Sequence, residues 1–423
     1  MKRSLFAALV LPALAVPAAD CRGELGAVLC DGGFGVFQWR SQTGVTVSVD
    51  APKSQGFATH ACQARLTWGQ HELVVAPQDA QIDVDAADVD LGLGVPVVAL
   101  QTKKSTGDKF MSYEIYSLNK PPQRLRVISG GEWYSAADTD LDGRVEIGTE
   151  DAAAVDGFEE IPLSALDFAP PMMLRFEGKR LIDVSAQFRP EYDRRIASLR
   201  AQLDEAQVRA FSQSDGTLKG LFPPTPMEWT HLRRTKVIVL EIAWCYLYSG
   251  RQKESWKALA DMWPASDLER IRAAILDART RGIAREVDGV SAETDPPTKR
   301  VRAPIYNAPL DPSSIQIFKH PLSANAPIMS DPDANEAKLY ADTMPIQVLL
   351  RRPRLLPGST DAMAAPIPLN LVVDSAGKVR SAKLLGRDDQ DLLQATAGWK
   401  FIPAFKGGHP VICNFRIDVT PAQ

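Results

Sequence analysis

The chain has 423 residues, 45% of them hydrophobic and 24% charged, with a formal net charge of −4. That is apolar material for two or three domains. A near-balanced charge with no concentrated basic face excludes the usual footprint of a nucleic-acid binder. The basic clusters Lys299-Arg300-Val301-Arg302 and Arg351-Arg352-Pro353-Arg354 sit among prolines and read as solvated linker charge.

At the N-terminus, Lys2 and Arg3 precede an uncharged run from Leu5 to Ala19, with Val16 and Ala18 as the small residues before a cut. A positive start, a short apolar core and small residues before cleavage form the pattern of a secretory signal peptide. The run contains Pro12 and Pro17 and is too short to span a bilayer comfortably. Residues 1–19 are therefore expected to be cleaved, leaving a soluble periplasmic protein. Asp20 before Cys21 argues against lipid attachment.

All five cysteines follow the cut, so in an oxidising compartment at least one lies outside an intrachain bridge. One disulfide is expected among Cys21, Cys30 and Cys62, with the pair left open. Cys245 and Cys413 fall on apolar faces, where a small buried thiol is the expectation.

Residues 20–188 read as a β-rich domain. Val45 to Val49 alternates with period two, as does the stretch around Glu72 to Val75; further short strands are expected at Val97–Gln101, Ser112–Tyr116, Leu125–Ile128 and Met172–Phe176. Polar turn residues separate them, which suits a sandwich or a partial propeller.

One segment in this region carries metal-like spacing. From Asp138 to Ile147, carboxylates stand at positions 1, 3, 5 and 9, with glycine at 6 and an apolar residue at 8. Alternate carboxylates in a tight loop converge on one point, and Ca²⁺ takes about six to eight hard oxygens. The expected ligands are Asp138, Asp140, Asp142, the Arg144 carbonyl and Glu146, holding a structural Ca²⁺. An EF-hand would need glutamate where Thr149 stands; the segment resembles the calcium loops of FG-GAP-type propeller repeats instead. It occurs once, so a complete propeller is not expected.

Residues 189–285 switch to helical period. Ile196, Leu199 and Leu203 recur at helical spacing after Pro190, and Pro223, Pro224 and Pro226 make a break. A strongly apolar helix is then predicted from Leu232 to Tyr248, stopped by Ser249-Gly250, with a return helix from Gln252 to Trp263. Ser266-Asp267-Leu268-Glu269 reads as a capping box opening a third helix, whose buried face is Leu268, Ile271, Ile275 and Ala278. Trp244, Leu247, Gly250, Trp256 and Ala258 give the pair a likeness to tetratricopeptide-type helices. A single pair is expected to pack as core rather than form a solenoid. Residues 286–345 are proline-rich and read as a linker.

Residues 346–423 close the chain with a small α+β unit. Ile367, Leu369, Leu371 and Val373 share one strand face, Asp374-Ser375-Ala376-Gly377 makes a tight turn, and a second strand runs from Lys378 to Leu385. Asp388 and Asp389 offer N-cap chemistry to a helix with Leu392, Ala395, Thr396 and Trp399 on one face. The last strand alternates, Val411, Cys413, Phe415, Ile417 and Val419 pointing one way. The β-β-α-β order, with Val-Val-Asp-Ser-Ala-Gly-Lys-Val at 372–379, Gly-Trp-Lys-Phe-Ile-Pro-Ala at 398–404 and Gly-His-Pro-Val at 408–411, resembles the TonB C-terminal domain family. The chain departs from that family in lacking an uncleaved membrane helix and a long spacer of alternating proline and charge, so energy transduction is not expected.

The resemblance implies binding by strand addition, in which an extended peptide of an envelope or outer-membrane protein pairs with an open sheet edge. The implied contact is Val411, Ile412, Asn414, Arg416 and Asp418; a second copy of the chain or its own linker are the other occupants of such an edge. His60, His71, His231, His320 and His409 are scattered, and no hydrolase elbow, zinc or phosphate-loop motif occurs. Glu159, Glu160 and Asp167 read as a solvated face. The expectation is a multidomain α+β, exported cell-envelope adaptor that is not an enzyme. The alternative is a periplasmic enzyme or ligand-binding protein acting through the β-rich domain.

Overall fold

The structure, a computed structural model, describes residues 28–29, 37–50, 62–105, 107–166, 168–219, 226–294, 306–307, 367–385, 390–397, 399, 401, 403–406 and 409–419. The expected signal peptide, the two basic clusters, Asp167, Asp388 and Asp389, and most of residues 286–366 lie outside them. The fold is α+β, with several antiparallel sheets, a large β-rich N-terminal region and helices after it.

Three four-stranded meanders follow one another. The first sheet joins Phe37–Arg40, Thr46–Asp50, Cys62–Trp68 and His71–Asp79; the second joins Gln81–Val89, Val97–Lys103, Met111–Ser117 and Arg124–Gly131, with Val28–Leu29 added at its edge. The third joins Tyr134–Ala137, Glu146–Glu150, Pro171–Glu177 and Arg180–Asp183, and Gly289–Val290 adds to it in parallel. The start of the expected linker is thus built into a sheet. There Asp288 accepts the Leu181 N–H at 2.8 Å, a pairing that proline content does not reveal.

The second sheet is buried on both faces. Ile82, Val84, Val98, Leu100 and Tyr116 pack with Val45, Val47, Val49 and Leu66 of the first sheet. Ala86, Val97, Ala99, Tyr113 and Ile115 belong to the core of the third sheet and the helices. Gln81–Val89 is buried along its whole length, yet three aspartates within it hid the strand from pattern reading. Each has a donor. Asp83 accepts from Gln101 Nε2 at 3.1 Å, and Asp85 from the Tyr113 hydroxyl at 2.6 Å and Ala136 N–H at 2.8 Å. Asp88 occupies the left-handed position of a bulge at φ 58° and accepts the Gln42 N–H at 2.9 Å. Asp85 therefore ties this sheet to the third, and Asp88 ties it to the first.

The helices Arg189–Ala201, Glu205–Ser212, Pro226–Tyr248, Gln252–Met262 and Leu268–Arg281 pack on the third sheet, sharing one continuous buried cluster with it. The long helix begins at Pro226, not after it, because proline suits a first helical turn whose amide needs no partner. Ile271, Ile275 and Ala278 are buried as the period requires, but the capping box does not form. The Asp267 carboxylate is drawn into an ion pair with Arg270 and accepts Trp263 Nε1–H at 2.8 Å. Nor is Glu159 solvated: it pairs with buried Lys236 at 3.0 Å and with Arg270. Among the described residues no helix is long and apolar enough to cross a membrane. Cys62 is disulfide-bonded, and Cys245 and Cys413 are buried and stand outside any disulfide.

The C-terminal sheet has the order Tyr306–Asn307, Cys413–Val419, Ile367–Val373, Val379–Leu384, with helix Gln390–Thr396 following and a small hairpin of Ala404–Lys406 and His409–Val411. Leu369, Leu371, Val373, Trp399 and Phe401 form its core. Its first turn closes on Gly377 at φ 82°, where an added Cβ would lie 1.7 Å from the Phe401 carbonyl oxygen. Gly377→Ala is expected to destabilise this sheet by about 3 kcal/mol, from left-handed strain and the backbone clash together; a lowered urea midpoint for its unfolding, read by Trp399 fluorescence, checks it.

Candidate metal centre

Tyr134–Ala137 and Glu146–Glu150 pair antiparallel, and the connection between them carries the alternating aspartates. A reversal this tight needs left-handed backbone, supplied by Gly143 at φ 88° and by Leu141 at φ 61°. Glycine adopts it freely, whereas Leu141 is held there at a cost of roughly 1–2 kcal/mol. The loop is closed by its own carboxylates. Asp142 N–H donates to Asp138 Oδ1 at 3.0 Å and to Asp140 Oδ1 at 3.2 Å, and Gly143 N–H donates to Asp138 Oδ2 at 3.0 Å. Across the loop mouth, Thr139 N–H donates to Glu146 Oε2 at 2.9 Å.

Among the described residues, the carboxylates that converge are Asp138, Asp140 and Glu146, each with one oxygen within 4.8 Å of the others. Oxygens about 2.3–2.6 Å from a shared Ca²⁺ can stand no further apart than roughly twice that, so the trio fits one hard cation. Asp142 lies outside the trio, its Oδ2 held at 2.7 Å by the Arg144 guanidinium. Arg144 is exposed, and its contact in the structure is this grip on Asp142.

Asp138 and Glu146 are fully buried. Burial, then the nearby Asp374 carboxylate, push the Asp138 carboxyl up to about 7. Burial pushes Glu146 up to about 8, with Asp140, Asp142 and Asp138 adding to it against the Thr139 N–H. Both groups thus call for a proton or a cation. Glu146 Oε1 accepts no hydrogen bond and is ion-paired with the buried Arg175 guanidinium at 3.6 Å. An all-oxygen donor set suits Ca²⁺ more than a soft metal.

Sequence spacing missed one member of this neighbourhood. Asp374, in the first turn of the C-terminal sheet, is fully buried and accepts the Asp138 N–H at 3.0 Å. Burial raises its carboxyl, with Arg380 acting against the rise. No local signal links positions 236 residues apart; a buried Asp-Ser turn simply looks like any tight turn.

The residues expected to touch a partner divide by position. Cys413–Val419 pairs on one side with Ile367–Val373, Asp418 opposite Pro368 and Arg416 opposite Asn370. Its other side takes Tyr306–Asn307 in parallel, Tyr306 opposite Cys413 and Asn307 opposite Asn414. Val411 ends the small hairpin strand, and Ile412 is buried, so the simple alternation expected along 411–419 breaks where the chain passes between the two sheets. Arg416 is exposed.

No protein-family model, curated protein or solved structure significantly matches the chain.

Arg175 is the fixed positive charge beside the trio, and it also contacts Gln187 and Glu177. In chelator, Arg175→Met is expected to destabilise the protein by about 3 kcal/mol, because it strands a buried carboxylate without its counter-charge; the urea midpoint against the native chain measures it.

Proposed function

We propose that this chain is an exported cell-envelope adaptor whose TonB-like C-terminal domain, residues 346–423, binds a protein partner by strand addition. In this reading residues 20–188 and 189–285 form the body that carries it, and residues 286–345 lead from one to the other. The Asp138–Glu146 loop holds a structural Ca²⁺ within that body. The chain is not an enzyme in this reading, and its partner is an envelope protein or an extended peptide.

The observation that carries the reading is the seating of Tyr306–Asn307 against Cys413 and Asn414. An edge that accepts a strand from elsewhere in the chain has its backbone donors and acceptors aligned for an added peptide. A partner would extend or replace that short pairing. For the ion, support comes from the convergence of Asp138, Asp140 and Glu146, the first and last of them buried.

The adaptor reading is tested by capture from envelope extract with the full mature chain and with a chain ending at residue 366. A protein held by the first and lost with the second is the expected result; identical recovery by both refutes it. Tyr306→Pro with Asn307→Pro, which removes two strand amides, should increase capture several-fold if that segment competes for the edge. For the ion, Ca²⁺ at about a hundred times its dissociation constant should stabilise chelator-stripped protein by about 2.7 kcal/mol, a rise of several degrees in thermal midpoint. Asp140→Ala should abolish the rise, and equal midpoints with and without Ca²⁺ in the native chain would sink the calcium reading.

A further inference from the structure

The carboxylate loop is covered by the C-terminal sheet. Asp374 takes the Asp138 N–H at 3.0 Å, the Ser375 hydroxyl donates to Asp138 Oδ2 at 3.3 Å, and the Arg380 guanidinium donates to the Thr139 carbonyl. Asp138, Asp374 and Ser375 are all buried there. Asp374 is itself fixed by the N–H groups of Ala376 at 3.0 Å and Lys378 at 2.9 Å. Asp138 is the shared residue: its carboxylate belongs to the trio, and its backbone amide belongs to the docked turn. Glu146 Oε1 is buried without a hydrogen bond and ion-paired at 3.6 Å with the Arg175 guanidinium, and the loop's spacing brings carboxylate oxygens of Asp138, Asp140 and Glu146 within reach of one cation.

We propose that cation binding by the trio and seating of the C-terminal sheet on this loop are one linked equilibrium, so that Ca²⁺ fastens the C-terminal domain to the β-rich body. This rests on reading the loop as a Ca²⁺ site. Without a cation, buried Asp138, Glu146 and Asp374 and half-buried Asp140 set their carboxylates against one another, with Arg175 and Arg380 as the nearby counter-charges. A divalent ion turns that repulsion into attraction. It also holds Asp138 in the orientation that presents its amide to Asp374. Linkage is reciprocal: whatever the ion adds to seating, seating adds to ion affinity.

Arg380 supplies the discriminating sign. Through space, its positive charge opposes a bound cation, so its field alone predicts tighter Ca²⁺ binding when it is removed. As a donor to Thr139 it keeps the turn on the loop, so linkage predicts weaker binding. The test is calorimetric titration of Ca²⁺ into the chelator-stripped mature chain, Arg380→Ala and Ser375→Ala. The expected result is affinity weakened about five-fold or more in both variants, together with Ca²⁺-dependent slowing of amide exchange across residues 367–384 in the native chain. Binding by the native chain with equal or tighter affinity in Arg380→Ala overturns the linkage and leaves the Ca²⁺ site standing. Absence of binding by the native chain overturns both. If Arg380→Ala fails to fold, Ser375→Ala carries the test, since it alters no charge; unchanged affinity there overturns the linkage.

Discussion

A carboxylate taken out of water must find donors, a counter-charge or a proton. This chain meets that demand repeatedly, and its architecture follows from how it does so. Asp83, Asp85, Asp88, Asp138, Glu146, Asp151, Asp183 and Asp374 are all buried. Where each finds its partner decides which element lies against which. Asp85 fixes the second sheet to the third, Asp88 fixes it to the first, and Asp374 reaches from the C-terminal sheet to the Asp138 loop. Asp151 works in the same way, accepting from the Tyr248 hydroxyl at 2.7 Å and the Ile283 N–H at 2.9 Å. It thereby draws a long helix and the end of the helical block onto the third sheet.

Apolar burial provides most of the driving force, and it too is shared between layers. The second sheet sends alternate side chains into two different cores, so its inner strands Gln81–Val89 and Val97–Lys103 turn almost no polar face to water. Gln101 shows the consequence. Its side-chain amide donates to the Tyr134 carbonyl at 2.6 Å and accepts the Tyr134 N–H at 2.7 Å, standing in for a strand neighbour between sheets. Fully paired networks of this kind specify one arrangement of layers, because any slip strands several buried groups at once.

The same logic separates the Asp138 loop from the other acidic sites. Asp83, Asp85 and Asp88 are satisfied by neutral donors; in the trio of Asp138, Asp140 and Glu146 the carboxylates converge on one another, and the Glu146 oxygen that accepts no hydrogen bond is ion-paired with Arg175. The difference is one of donor supply. A strand packed between sheets meets amides and hydroxyls on both sides. A hairpin loop meets chiefly its own backbone, which closes the loop and turns its carboxylates toward one another.

Local pattern was enough for whatever depends on near neighbours. Alternation found the strands around Val45 and Glu72, short runs between turn residues found those at Val97, Ser112 and Met172, the three-to-four spacing found the buried face of Ile271, Ile275 and Ala278, and carboxylate spacing marked out the Asp138 loop. Each signal comes from a periodicity or turn geometry that a few residues carry by themselves. Tertiary structure decided the rest. It made Gln81–Val89, where no strand was expected, a buried strand, placed Glu269 in an ion pair with Arg272 instead of a capping box, and built Gly289–Val290 into a sheet. It also brought Asp374 to the Asp138 loop and Tyr306 to the last strand. These outcomes hang on partners far away in sequence, and the energy of a buried polar group is set by whichever donor the fold brings to it. Spacing alone determined that carboxylates would gather at Asp138; only the folded chain decided which of them face one another, and what closes over them.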